Sequence, residues 1–253
     1  EEEGRILLDK YRKYHNPESF GPWKNNITFV ADDKDLGFAN PTGGMNHLDD
    51  CEYANSYFLN NNLNYSLHKI YADAYSKKQT SSGSRFPDVN KAINDQIFAG
   101  TLYMSYSGHG SPQRWAHEAI LTAADYDRWN NISKLPLLFT GTCDFSRFDQ
   151  PGIRSAGVQL LKKANGGAIA LISTTQIVYS TGNKLISKSL VDHLFTRGQD
   201  GRYSTIGDAF RLAKNENPNS ISNSFRYALL GDPTMHLQIP VNKVITDRIY
   251  NVS

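Results

Sequence analysis

A thiol and an imidazole follow two predicted strands of this sequence. Thr101 to Ser107 is an apolar, aromatic run of strand length that leads into a Gly-His-Gly triplet centred on His109. Leu137 to Thr142 leads in the same way into Cys143. In an open α/β sheet, ligands bind outside the carboxyl ends of the strands. A thiol and an imidazole on neighbouring strand ends make a nucleophile and its base, so the sequence predicts a thiol-based active site.

The chemistry expected of this pair is acyl transfer through a Cys143 thioester. The His109 imidazolium would stabilise the thiolate, which predicts that the thiol is alkylated rapidly below neutral pH. The imidazole would then protonate the leaving amine. Backbone N–H groups at the strand-end turns, that of Gly110 among them, can bind the tetrahedral oxyanion. The glycines beside His109 let the chain turn sharply and let a substrate approach closely.

Other polar clusters leave alternatives open. Asp32 and Asp33 close another predicted strand, where either carboxylate could orient the imidazole, and a solvated turn or a cation site explains them equally well. The stretch His47 to Glu52 is rich in metal-ligand types, which suggests a metal hydrolase, although its spacing fits no standard zinc motif. The alternative for Cys143 is a buried structural thiol. Cys51 is a weaker nucleophile candidate because no strand delivers it.

Composition narrows the class of protein. The chain has 253 residues, 39% hydrophobic and 21% charged, which is typical of a soluble globular domain. The formal net charge is +2 and the basic residues are scattered, which argues against nucleic-acid binding. No apolar run approaches the roughly 18 residues that span a membrane. The acidic start is no signal peptide, so we expect a domain cut from a longer protein. Two cysteines make no disulfide scaffold.

Strand and helix patterns alternate along the chain. Predicted strands cover residues 27–31, 67–72, 101–107, 137–142 and 168–173, with a closing strand pair in 225–239. Predicted helices cover residues 48–62, 88–99, 156–164, 183–197 and 206–213, and 76–87 reads as a loop. This alternation predicts an α/β fold with a mainly parallel sheet covered by helices. The whole of 1–253 is expected to be one domain, either undivided or split into subdomains of about 1–90 and 91–240.

Four segments occur in the order found in the gingipain family of cysteine peptidases, and the chain resembles that family on their account. They are Tyr106 to Ser111 with Trp115 six residues after the histidine, Leu135 to Cys143, Gly166 to Ser173, and Leu230 to Thr234. The likeness runs from about Ile27 to Pro240. It implies a caspase-like α/β fold of the gingipain type and a Cys/His dyad.

Within that family, the chain most resembles the type IX secretion sortases of the PorU type. The segments that suggest this are Phe29 to Asp33, Asn46 to Leu48, Trp115 to Glu118, Cys143 to Asp149 and Val178 to Ser180. The resemblance implies removal of C-terminal sorting signals from secreted cargo and transfer of the new carboxyl end to an amine on anionic lipopolysaccharide. It also implies a cell-surface, outer-membrane location and other type IX secretion components as partners. The alternatives are a secreted gingipain-like endopeptidase with water as acceptor and a catalytically silent cargo-binding module.

The resemblance also assigns roles to residues. It makes Cys143 the nucleophile, His109 the general base and acid, and Gly110 with the Cys143 N–H the oxyanion hole. Asp33, or else Asp32, matches the acidic residue that supports the histidine.

Substrate and metal contacts are expected as well. Asp50 falls near the acidic residue that reads a basic side chain in arginine-specific members, but the segment around it differs, so no preference for arginine or lysine is inferred. Trp115 and Tyr179 are expected to wall the substrate cleft. No cofactor is required for the reaction. Gingipains bind calcium, so a structural calcium ion is an expectation to which no ligand set is assigned.

Overall fold

A six-stranded sheet forms the centre of the computed structural model, which describes residues 1–34, 47–61, 63–81, 83–150, 152–217 and 221–240. The strands are Asn26–Ala31 (β1), Ser66–Tyr71 (β2), Lys78–Thr80 (β3), Gly83–Arg85 (β4), Tyr103–Ser107 (β5), Gly110–Ser111 (β6), Arg114–Trp115 (β7), Leu137–Gly141 (β8), Ala170–Thr174 (β9) and Tyr227–Leu230 (β10). The helices are Glu2–His15 (α1), His47–Asn60 (α2), Pro87–Ala99 (α3), Ala123–Tyr126 (α4), Ala156–Lys162 (α5), Ser180–Phe195 (α6), Ile206–Asn215 (α7) and Ile221–Ser224 (α8).

The strand order of the central sheet is β10-β9-β8-β5-β1-β2. All neighbours run parallel except β10, which pairs antiparallel with β9. The chain builds outward from β1 to β2 and then crosses to the other side of β1 to form β5. The order therefore reverses between β1 and β5, and a crevice for ligands is expected outside the carboxyl ends of these two strands.

Both faces of the sheet are buried, as the continuous apolar runs of its strands predict. Successive side chains of a strand point to opposite faces. Phe29 and Phe139 accordingly pack in the core layer beneath α2, α6 and α7. Val30 and Leu138 pack in the other layer, beneath α3 and α5. The predicted α/β class, with a mainly parallel sheet flanked by helices, is confirmed.

Some elements differ from the sequence prediction. The expected loop 76–87 contains the antiparallel hairpin β3–β4, whose strands of three residues are too short to give a periodic pattern. The prediction of a closing strand pair in residues 225–239 is wrong. Tyr227–Leu230 is the one strand of that stretch, and His236 forms only an isolated bridge with Thr205. Pro233 follows Gly231 and Asp232 after the strand, and a proline cannot donate to a sheet ladder.

Strands from both halves of the chain share this sheet. Residues of β1 pair with residues of β5, with Ala31 opposite Ser107, so one ladder joins the segments 1–90 and 91–240. Among the residues that the structure describes, no helix has the length and apolar character needed to cross a lipid bilayer.

Candidate active site

The predicted nucleophile and base follow adjacent strands. Ser107 and Gly141, the last residues of β5 and β8, lie opposite each other in the parallel ladder. His109 and Cys143 each come two residues later, so the same edge of the sheet carries both. The Gly108 N–H continues the ladder by donating to the Gly141 carbonyl at 3.3 Å. Both reactive residues are partly exposed, whereas the strand residues before them are buried.

The glycines around His109 are required by close contacts. A Cβ on Gly110 would overlap the Thr142 hydroxyl, and a Cβ on Gly108 would overlap the Tyr106 hydroxyl. Glycine is the residue that permits such an approach. The Gly110 backbone therefore lies directly against the residue that precedes Cys143. This brings the two segments of the predicted oxyanion hole together.

The Cys143 thiol contacts the loop between β9 and α6. The Val178 N–H donates to Sγ at 3.5 Å, and the S–H faces the Val178 carbonyl at 3.7 Å. The next residue, Asp144, has a φ of 58°, in the left-handed region that non-glycine residues seldom adopt. Burial raises the pKa of Cys143, against the lowering effect of the Val178 hydrogen bond. Burial thus disfavours the thiolate of Cys143, whereas the sequence predicts a thiolate stabilised by His109, and that prediction stays open.

His109 is anchored through its backbone. Its N–H donates to Asp32 Oδ2 at 3.0 Å, and its carbonyl accepts a hydrogen bond from the Tyr106 hydroxyl at 2.6 Å. Its ring lies between two other imidazoles, with centroids 5.4 Å from His47 and 4.8 Å from His117. The backbone hydrogen bonds fix the position of His109 after β5, and the two neighbouring rings limit the rotation of its imidazole.

The two candidate aspartates have different partners. Asp32 is buried and accepts the His109 N–H, whereas Asp33 forms an ion pair with Lys77 at 2.6 Å. Burial, with a smaller contribution from the negative charge of Asp33, raises the pKa of Asp32 to about 7 against the lowering effect of the His109 N–H hydrogen bond. Asp32 is therefore the aspartate that supports the histidine segment, and it does so through a backbone N–H.

A cavity of about 220 Å³ opens beside His109, where Asp32, Asp33 and Glu118 bring carboxylate oxygens within 4.8 Å of one another. The Lys77 ammonium contacts two of these carboxylates, Asp33 at 2.6 Å and Glu118 at 3.0 Å. Calcium usually takes six to eight oxygen ligands. Because Lys77 already neutralises part of this cluster, the described residues here do not fit a ready calcium site.

The predicted substrate residues are separated. Trp115 is fully buried and stacks on Tyr106, with ring centroids 4.3 Å apart. It supports the histidine segment from the core and offers no surface to a substrate, so the expectation that it walls a cleft is corrected. Tyr179 is 65% exposed and follows Val178, the contact of the thiol. Asp50 accepts a hydrogen bond from Ser107 Oγ at 3.2 Å on the same face as α6.

Within the part of the chain that the structure describes, the stretch His47 to Glu52 takes part in no group of residues that could hold a metal ion. Cys51 is buried and its thiol donates to the Val30 carbonyl at 3.3 Å, while Glu52 binds Lys69 and Tyr71. The helix that contains the stretch turns these side chains in different directions. Among the described residues, the group that could hold a metal ion is the carboxylate cluster around Asp32.

Comparisons with known proteins identify the family of this chain. The model of peptidase family C25 matches residues 1–238. The chain belongs to peptidase family C25. A comparison with curated protein sequences finds no match.

Solved structures share the fold of this C25 chain. The crystal structure of the Arg-specific cysteine proteinase gingipain R matches with a TM-score of 0.76 and 16% identity, over 96% of this chain and 54% of that one. The complex of the pro- and mature domains of RgpB from Porphyromonas gingivalis matches with a TM-score of 0.74 and 15% identity, over 94% and 54%. The C25 chain thus spans about half the length of these structures, and its predicted gingipain-type fold is confirmed.

Two residues near the thiol of the C25 chain escaped the sequence analysis. Asn223 receives the Tyr179 N–H at 3.1 Å and donates to the Tyr179 carbonyl at 2.6 Å. It also donates to Asn183 Oδ1 at 3.0 Å, which links the loop beside Cys143 to the first turn of α6. Asparagines are frequent in this sequence, so no local pattern distinguishes these two.

Proposed function

We propose that this chain is the catalytic domain of a cysteine peptidase, with Cys143 as nucleophile and His109 as general base and acid. The observation that carries the proposal is the close approach of Gly110 to Thr142 on paired strand ends. It supports a thiol and an imidazole that act on one bound peptide. Membership of peptidase family C25 supports the same reaction class.

The proposed reaction has two acyl-transfer steps. His109 takes the proton of the thiol as Sγ attacks the scissile carbonyl carbon. The tetrahedral intermediate collapses to a Cys143 thioester, and the imidazolium gives its proton to the leaving amine. An acceptor then attacks the thioester, His109 removes its proton, and the thiol is released. The burial that raises the pKa of Cys143 is consistent with removal of its proton by a general base at the moment of attack.

Two backbone N–H groups are the proposed oxyanion donors, those of Gly110 and Cys143. Donors of this kind stabilise charge that develops in the transition state, and they need no reorganisation if the backbone already holds them. Asp32 is a positioning residue in this proposal, because its carboxylate holds the His109 backbone and not the reacting atoms.

For the acceptor, we propose an amine. The domain would act as a sortase at the outer-membrane surface, removing C-terminal sorting signals from secreted proteins and joining the new carboxyl end to anionic lipopolysaccharide. The support is the sequence resemblance to type IX secretion sortases in the segments named above. The exposed Tyr179 ring beside Val178 supports a substrate contact next to the thiol. A water acceptor would make the domain a plain endopeptidase.

The test of the nucleophile uses a peptidyl acyl probe that forms a covalent bond with active-site thiols. We expect wild-type protein and Cys51→Ala to be labelled once, and Cys143→Ala and His109→Ala not to be labelled. Cys51→Ala is the matched control because its thiol is buried and its removal leaves the sheet edge intact. Labelling of folded Cys143→Ala, checked by circular dichroism, would overturn the proposal, and unlabelled wild type would favour a silent binding module.

A second assay identifies the acceptor. The protein is incubated with a cleavable peptide and an added amine, and the products are analysed. An amide product by mass spectrometry supports the sortase, since an amine held near the thioester outcompetes water. Free acid as the sole product at saturating lipopolysaccharide amine would favour the endopeptidase.

A further inference from the structure

A narrow crevice lies between the sheet edge and helices α2 and α6. Its walls include Ser107 and Gly141, which end the strands leading to His109 and Cys143. The opposite walls include Asp50 from the first turn of α2, and Lys184 from α6. The crevice leaves no room for a water-sized sphere. It borders the proposed catalytic pair but is closed by its own side chains.

The position of this crevice relative to the thiol follows from the paired strands. Ser107 and Gly141 in its wall lie opposite each other in the ladder, two residues before His109 and Cys143. The buried Tyr227 hydroxyl donates a hydrogen bond at 2.8 Å to Asn183, another crevice residue. The crevice is therefore in position to receive the side chain next to the carbonyl that Cys143 attacks.

Inside the crevice, Lys184 is the countercharge of Asp50. Its ammonium lies 3.7 Å from Asp50 Oδ1, and the Asp50 side chain is only 13% exposed. Burial raises the pKa of Asp50, and the positive charge of Lys184 opposes that rise. The ammonium also lies 5.3 Å from the centre of the Tyr53 ring, a cation–π distance that favours this rotamer.

The Asp50–Lys184 pair changes what the crevice can bind. A carboxylate alone at the end of a narrow pocket attracts an ammonium or guanidinium group. Here Lys184 already compensates the charge of Asp50. A cationic substrate side chain would come within a few ångströms of the Lys184 ammonium. At such distances in a partly buried site, the repulsion between the two positive charges is only weakly screened by solvent. A residue with a short, uncharged side chain avoids both the repulsion and the lack of room.

We propose that Lys184 determines specificity by closing this crevice to lysine and arginine, which leaves the site selective for small, uncharged residues at the bond that is cleaved. The inference rests on the proposed cysteine peptidase function. On this inference the chain does not select arginine, although Asp50 lies in the crevice and the fold matches that of an Arg-specific proteinase.

The test compares acyl probes that differ only in the residue beside the reactive carbonyl, alanine or arginine. We expect wild type to react at least tenfold faster with the alanine probe. Lys184→Ala should raise the ratio of arginine to alanine labelling at least tenfold, and adding Asp50→Asn should reverse that gain. Lys188→Ala is the matched control, because Lys188 lies one turn later on α6 and pairs with Asp192 at 2.6 Å. It should leave the ratio unchanged.

A binding measurement makes the test independent of catalysis. Agmatine, a free guanidinium compound, should bind Lys184→Ala in calorimetry at millimolar concentration and should bind neither wild type nor the variant that also contains Asp50→Asn. Preference of wild type for the arginine probe, or an unaltered ratio and no agmatine binding in Lys184→Ala, would overturn the inference. If no probe labels any variant, the peptidase proposal fails, while agmatine binding still decides whether Lys184 blocks the crevice.

Discussion

At the scale of single residues, the candidate site combines a partly buried thiol with a histidine whose backbone is anchored on both sides. Cys143 is half-buried against the Val178 backbone, and this burial disfavours the thiolate. The backbone of His109 is held by hydrogen bonds from its N–H to Asp32 and from the Tyr106 hydroxyl to its carbonyl. In the proposed mechanism, such a thiol loses its proton to His109 as it attacks the substrate.

The pH dependence of thiol alkylation tests this state. In the Cys51→Ala background, iodoacetamide should react with Cys143 at a rate that rises with pH and has its midpoint above the ordinary thiol value of about 8.5. The sign follows from burial, which raises the pKa, so the thiolate fraction stays small at neutral pH. His109→Ala should leave this profile in place while abolishing labelling by the acyl probe. A plateau that extends below neutral pH would instead demonstrate a thiolate–imidazolium pair.

At the scale of elements, the short segment after β7 is unusual. Ala116 and Ala119 have φ values of 60° and 55°, and they flank His117 and Glu118, two residues that line the cavity beside His109. Non-glycine residues in this conformation cost free energy and persist where the surrounding structure fixes them. The Ala116 N–H donates to the His109 carbonyl at 2.8 Å, which ties the strained segment to the histidine.

Replacing one of these alanines by glycine should stabilise the fold. Ala119→Gly is expected to raise the free energy of unfolding by about 1 kcal/mol, because glycine adopts a positive φ without steric cost. Ala92→Gly in the middle of α3 is the control and should lower it by roughly 0.5–1 kcal/mol. Urea denaturation measures both. Equal destabilisation by the two changes would show that the left-handed conformation of Ala119 is not strained.

At the scale of the whole molecule, the first helix is joined to the sheet layer by a buried lysine. Lys10 donates to the carbonyls of Leu160 and Leu161 at the end of α5, at 3.2 and 2.7 Å. Burial, with a smaller contribution from the charge of Lys163, lowers the pKa of Lys10 to about 7. Residues about 150 positions apart in sequence are therefore connected through one titratable group.

The free energy of unfolding should depend on pH through the titration of Lys10. The folded pKa of Lys10 is about 7, below the ordinary 10.5, so the unfolded chain binds more protons between these values. Stability must then rise with pH across this window. We expect wild type to gain stability relative to Lys10→Met between pH 7 and pH 10 in urea denaturation. Lys13→Met, an exposed position on the same helix, should run parallel to wild type, and parallel curves for Lys10→Met would refute the shift.

Much of this protein could be predicted from its sequence. The apolar runs before His109 and Cys143 predict buried parallel strands, and the residues that follow such runs must emerge at the sheet edge. The glycines beside His109 predict a close approach, which the contact of Gly110 with Thr142 explains. These inferences hold because strand periodicity and steric requirements are local properties of the chain.

Other features depended on the tertiary structure alone. Trp115 and Tyr179 are both aromatic residues near the site segments, yet one is buried and the other exposed. Asp32 and Asp33 are adjacent in sequence, yet one binds the His109 backbone and the other binds Lys77. These outcomes depend on residues that packing brings close from distant positions. The pKa of Cys143 is decided in the same way, because burial is a property of the assembled fold and no local pattern of residues specifies it.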